Sequence, residues 1–185
     1  MDQTFAFYKK VSATNTSQIA LAAGTNWVSF NVETNLDDLK AALVEAAPGT
    51  AITIKGQTQN TTYNPGNNRW TGQLRNLDLS KMYIIKVTEA CEIVLEGEPV
   101  DPSMYPILIE PGVNYIAYPF DMNMTVTNAF AGFGVTNDQV RAQLQNASYN
   151  GSRWTGQLRN LEPGQGYIYK SASTGTRTFT YPSGN

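Results

Sequence analysis

Apolar residues recur at two different spacings along this chain. Over Trp27–Val32 they alternate, with Val28, Phe30 and Val32 on one side and Trp27, Ser29 and Asn31 on the other. A period of two predicts a half-buried strand. Leu36, Leu39, Leu43 and Ala47 instead fall at helical spacing. Asn35 is placed to cap that helix, Asp37 and Asp38 sit where the helix dipole favours carboxylates, and Pro48-Gly49 stops it.

Other strands follow from shorter patterns. Thr4–Val11 reads as an N-terminal strand, and Ala51–Gln57 as a strand with Ile52 and Ile54 inward. Tyr149-Asn150-Gly151-Ser152 predicts a two-residue Asn-Gly hairpin turn. Pairing outward from it sets Ala147 opposite Trp154, Ser148 opposite Arg153 and Asn146 opposite Thr155. The corresponding turn at Asn64-Pro65-Gly66-Asn67 is longer. Further turns fall at Asp78-Leu79-Ser80 and Glu162-Pro163-Gly164. Closing hairpins are predicted between Tyr83–Val87 and Glu92–Leu95, and between Tyr167–Lys170 and Arg177–Tyr181.

These elements occur twice. Arg69–Leu77 reads RWTGQLRNL, and Arg153–Leu161 repeats it letter for letter. Asn26–Val32 matches Asn114–Phe120, Lys55–Gln57 matches Arg141–Gln143, and Asn60–Asn64 matches Asn146–Asn150. Met82–Lys86 matches Gly166–Lys170. An internal repeat of this size governs the fold expectation. The fold class is α+β, mostly antiparallel β, with two homologous units, each a sheet with one helix in the order ββαβββββ. The expected divisions are an N-terminal strand or tail at 1–17, one unit at 18–98, a Pro-rich spacer at 99–106 and a second unit at 107–185.

Within the repeated nonapeptide, alternation puts Trp70, Gly72 and Leu74 on one face and Arg69, Thr71, Gln73 and Arg75 on the other. Two readings of the tryptophan face stay open. It packs into the core, or Trp70 and Trp154, with Tyr63 and Tyr149 nearby, form platforms on which a sugar ring stacks. The opposite face carries forked and planar hydrogen-bonding groups suited to sugar hydroxyls. The candidate ligand-binding residues are therefore Arg69, Trp70, Gln73, Arg75 and Tyr63, and their counterparts Arg153, Trp154, Gln157, Arg159 and Tyr149.

Composition narrows the chemistry. The net charge is -2 and the pI about 5.1, which argues against a generic nucleic-acid surface. The chain has no histidine, the commonest general acid–base and metal ligand. The carboxylates at matched positions, Glu33/Asp121 and Asp78/Glu162, lie at strand ends or turns, so no catalytic pair stands out. Cys91 reads as a small strand residue with no disulfide partner. No apolar run is long enough for a membrane span. No catalytic, metal or cofactor residues are assigned, and neither nucleic acid nor membrane insertion is expected.

The set Asn26–Phe30, Ile54–Gln57, Tyr63-Asn64, Trp70–Leu74 and Pro163–Lys170 resembles a tandem module of secreted multidomain proteins from gut and rumen bacteria. That resemblance implies a secreted or cell-surface parent protein with catalytic or anchoring modules elsewhere. It also implies a carbohydrate-binding accessory role, with a polysaccharide or oligosaccharide as partner. The alternative is a structural or protein-interaction repeat of a cell-surface protein, using exposed sheet edges for strand addition.

Overall fold

A computed structural model describes residues 14–182. The strand expected over Thr4–Val11 lies outside them. The first half of the chain forms β1 (Asn15–Leu21), β2 (Gly24–Val28), α1 (Leu36–Ala46), β3 (Ile52–Lys55), β4 (Asn60–Asn64), β5 (Arg69–Gly72), β6 (Tyr83–Val87) and β7 (Cys91–Gly97). The second forms β8 (Ile107–Ile109), β9 (Gly112–Ile116), β10 (Met124–Thr125), α2 (Val126–Ala129), β11 (Gln139–Arg141) and β12 (Asn146–Tyr149). It continues with β13 (Trp154–Gly156), β14 (Asn160–Leu161), β15 (Tyr167–Ser171) and β16 (Arg177–Phe179).

Two five-stranded antiparallel sheets dominate. Sheet A runs β2-β6-β3-β4-β5, and sheet B runs β9-β15-β11-β12-β13. Taken in chain order, the two arrangements are the same. Two-stranded ribbons, β1 with β7 and β8 with β16, accompany them, and the short β10 pairs with β14. The class is mostly antiparallel β within α+β, as expected.

Each sheet turns one face inward. Ile52, Ile54, Tyr63, Tyr83, Ile85 and Val87 from sheet A join Leu36, Leu39 and Leu43 of α1 and Ile19, Leu21, Ile93 and Leu95 of the ribbon in one core. The Asn35 side chain accepts from the N–H groups of Asp37 and Asp38, satisfying two of the helix's otherwise orphaned donors. The second core is more aromatic: Phe130, Tyr118, Tyr167, Tyr169, Phe179 and Tyr181 fill it, and α2 is a single turn.

Several expectations change. β6 does not form a hairpin with β7. Both edges of β6 are taken, by β2 and β3, so the chain crosses at residues 88–90 and β7 pairs with β1 instead. β15 and β16 part in the same way, and β16 pairs with β8. The Asn-Gly turn holds four residues, not two, because Tyr149 pairs directly with Trp154. Asn150 Oδ1 accepts from the N–H groups of Ser152 and Arg153, and Asn150 N–H donates to the Arg153 carbonyl, which closes the wider loop. Ala147 therefore faces Gly156 and Ser148 faces Thr155. The first ribbon strand begins at Asn15 and runs across the expected division at residue 17. The Pro-rich stretch packs onto the first half: Val100 is buried, and its N–H donates to the Asn31 carbonyl.

The two halves meet through main-chain and side-chain hydrogen bonds. Ser29 N–H donates to the Gly164 carbonyl at 3.1 Å, and Ala117 N–H to the Ser80 carbonyl at 3.0 Å. Ser29 and Ala117 hold the same place in the two sequence copies, so these bonds are reciprocal. Met82 and Gly166 also correspond, and they meet at this junction. A Cβ on Gly166 would lie 2.5 Å from Met82 Cβ and 2.9 Å from the Val28 carbonyl oxygen. One side chain fits there and two do not, which accounts for Met in one copy and Gly in the other.

Candidate functional site

The nonapeptide supplies β5 and β13, the outermost strands of the two sheets. Neither strand runs its length. Gly72 and Gly156 take φ of 144° and 146°, a region that side-chain-bearing residues avoid. The N–H groups of Gln73 and Leu74 then both donate to the single carbonyl of Asn60, at 2.8 and 3.0 Å, which ends the ladder in a bulge. Trp70 and Leu74 still turn inward, and Gln73 and Arg75 follow the last paired residue, Gly72, as exposed side chains. Asn64 pairs with Arg69 and Thr62 with Thr71, so those four groups stay together. Gln157 and Arg159 likewise follow the last paired residue, Gly156, and all four side chains are exposed.

The tryptophans are core residues of unequal burial. Trp154 is 8% exposed and sits among Phe130, Tyr149 and Tyr169, with ring centroids 5.3 to 6.2 Å away. It offers no face to a ligand, which removes the platform reading for this residue. Trp70 is half-buried against Tyr63 at 5.3 Å, with the Lys40 ammonium 5.8 Å from its ring. Tyr63 is buried, and its hydroxyl donates to Asn68 Oδ1. Tyr149 is half-buried, and Arg69 and Arg153 are exposed.

Concavity lies elsewhere, in two clefts between the halves. The β3–β4 turn is closed by Gly56 N–H donating to the Gln59 carbonyl, and its counterpart by Ala142 N–H donating to the Gln145 carbonyl. Each turn projects a glutamine across to the other sheet. Gln57 Nε2 donates to the Val113 carbonyl at 3.0 Å, and its Oε1 accepts from Tyr115 N–H at 2.9 Å. Gln143 Nε2 donates to the Thr25 carbonyl at 2.7 Å. Thr25 and Val113 occupy the same place in β2 and β9. Each glutamine thus engages a first-strand edge that would otherwise stay unpaired.

Beside each glutamine strut opens a cleft, one of about 560 Å³ and one of about 420 Å³. Gln59, Leu74, Asn76, Asp78 and Tyr83 line the first, and Gln145, Leu158, Asn160, Glu162 and Tyr167 line the second at the same positions. Lys81 of the first cleft is matched by Gln165 of the second. The phenol oxygens accept backbone N–H groups, Tyr83 from Asp78 and Tyr167 from Glu162, both at 2.7 Å. Burial pushes both phenols above their ordinary value, so each hydroxyl keeps its proton and can donate it. Gln59, Asn76, Lys81, Gln145 and Asn160 have no side-chain hydrogen bond among the described residues, which leaves their polar atoms free for an occupant.

Sequence reasoning missed these residues because each cleft needs both halves. A signal was present: the second glutamine of each turn, Gln59 and Gln145, is unchanged between copies that drift around it, as is the asparagine inside the nonapeptide. Among the described residues no helix is long and apolar enough to cross a membrane. No protein-family model matches the chain, and no curated protein or solved structure does either.

Proposed function

We propose that this chain is a non-catalytic carbohydrate-binding module with two equivalent sites, part of a larger secreted protein that engages a plant-type polysaccharide such as a β-glucan. The observation that carries this reading is the position-by-position match between the linings of the two clefts. Amides, a carboxylate and a phenol hydroxyl converge in each, beside a buried leucine that supplies an apolar contact. Such groups pair with ring hydroxyls as donors and acceptors, while leucine meets the C–H face of a sugar. The volumes fall in the range of small-ligand sites. The secreted setting is supported by the resemblance of the repeated motifs.

Four net hydrogen bonds at about 1 kcal/mol each correspond to a dissociation constant on the order of 1 mM per cleft. Two clefts engaged by one polymer would raise avidity by about 10²-fold or more. Electrophoretic retardation in gels containing β-glucan, xylan, mannan or pectin tests the reading. Retardation by one neutral glycan, relieved by Gln59→Ala with Gln145→Ala, supports it. Migration unchanged in every gel would reject it and favour a structural or protein-interaction role.

A further inference from the structure

The strands of the two large sheets carry charge of one sign. None of the ten contains an aspartate or a glutamate, although the chain has 15 acidic residues against 13 basic ones. The carboxylates lie on α1, on β7 and in turns. Lys55, Arg69 and Lys86 stand on sheet A, and Arg141 and Lys170 on sheet B. All five are exposed, and each alternates with inward-facing neighbours, so all point from the outer faces. The ion pairs among the described residues, Lys40 with Asp37 and Arg177 with Asp138, involve none of them.

These cations sit in ordered rows. Trp27, Ile84, Lys55 and Asn60 pair in register across four strands of sheet A. Tyr115, Ile168, Arg141 and Asn146 form the same row on sheet B. An aromatic ring, an aliphatic side chain, a cation and an amide thus recur in one order, over about 14 Å at ordinary strand spacing. On each sheet the second cation, Lys86 or Lys170, lies diagonally across from the first. Beside it run hydroxyl and amide groups: Thr53, Thr62 and Thr71 on sheet A, and Gln139, Ser148 and Thr155 on sheet B.

We propose that the outer faces of both sheets bind an acidic polysaccharide, a chain of uronic acid residues. Its carboxylates would meet the cations, its hydroxyls the threonine, serine and amide groups, and one ring face the half-buried aromatic. This surface is separate from the clefts and does not depend on their reading. A nucleic acid fits less well. Two or three cations per face on a chain of net charge -2 supply little of the counterion release on which nucleic-acid affinity rests.

Calorimetry on the whole chain with polygalacturonate, its fully methyl-esterified form and single-stranded poly(U) tests the proposal. Binding to polygalacturonate should weaken with added salt, vanish on esterification and fall about tenfold in Lys55→Gln with Arg141→Gln. The cleft pair Gln59→Ala with Gln145→Ala should leave it unchanged. Near-ultraviolet circular dichroism identical to wild type would establish that the exposed substitutions leave the fold intact. Binding that survives esterification or the double charge substitution, that is lost in the cleft pair, or that is matched by poly(U) would overturn the proposal.

Discussion

Met82 fills the space that a side chain on Gly166 would need. The two residues hold corresponding places in the two sequence copies, yet a Cβ on Gly166 would come within 2.5 Å of Met82 Cβ. A reciprocal junction cannot hold two bulky groups where its halves meet, so the copies diverged there. Gly166→Ala should destabilise the chain by about 1–3 kcal/mol through overpacking. Met82→Gly in the same chain should cost less than it does alone, because it removes the Cβ that the new side chain meets, although the clash with the Val28 carbonyl persists. Urea unfolding of the single and double variants measures the coupling. Strict additivity would mean that the two sites do not share this space.

A second expectation concerns Asp138, which is fully buried where sheet A has Ile52. Burial alone would raise its carboxyl. The hydrogen bonds donated by Tyr169, Ala172, Val135 and Arg177 together outweigh burial and hold it below the usual range. The folded state therefore favours the ionised form. Its stabilising contribution is complete above the unfolded value, near 3.9, and fades as pH falls through the folded one. Asp138→Ala should cost about 3–5 kcal/mol at neutral pH by stranding Arg177. Converting Asp138, Tyr169 and Arg177 together to Ile, Ile and Cys, the residues found at these places in the first half, should recover most of it. The triple variant should also lose less stability between pH 4 and pH 2 than the wild type, as denaturant titrations at each pH would show.

The tryptophans offer a third test. Trp154 is buried in an aromatic cluster, and its Nε1–H has no hydrogen-bond partner among the described residues. Trp70 is half-buried. Trp154→Ala should cost about 3–5 kcal/mol and Trp70→Ala distinctly less. Trp154→Phe should be milder than Trp154→Ala, since it keeps the ring and removes the unpaired donor. Equal losses at the two tryptophans would contradict the burial difference.

Local pattern carried most of the elements. The leucine stripe and Asn35 cap mark α1 because both depend only on neighbours in sequence. Inward Ile52 and Ile54 likewise reveal β3. Pairing was less legible. Val87 and Cys91 look like the ends of a hairpin until β3 is known to occupy the second edge of β6. The turn after Tyr149 misled because the Asn150 side chain supports four residues where the Asn-Gly pair suggested two. In the candidate site, alternation through the nonapeptide set Trp70 and Leu74 inward and Arg69, Gln73 and Arg75 outward, but it could not show that pairing with β4 stops at Gly72. The clefts were invisible to any local rule, since Gln57 reaches residues more than fifty positions away.

Titration calorimetry with a short β-glucan oligosaccharide tests the central claim most directly. The wild-type chain should bind two molecules with similar affinity, one in each cleft. Asn76→Ala with Gln59→Ala should leave one site, and adding Asn160→Ala with Gln145→Ala should leave none. The unfolding midpoint should stay unchanged, because these exposed side chains make no hydrogen bond among the described residues. A wild-type stoichiometry of one, or undiminished heat in the fourfold variant, would contradict the account.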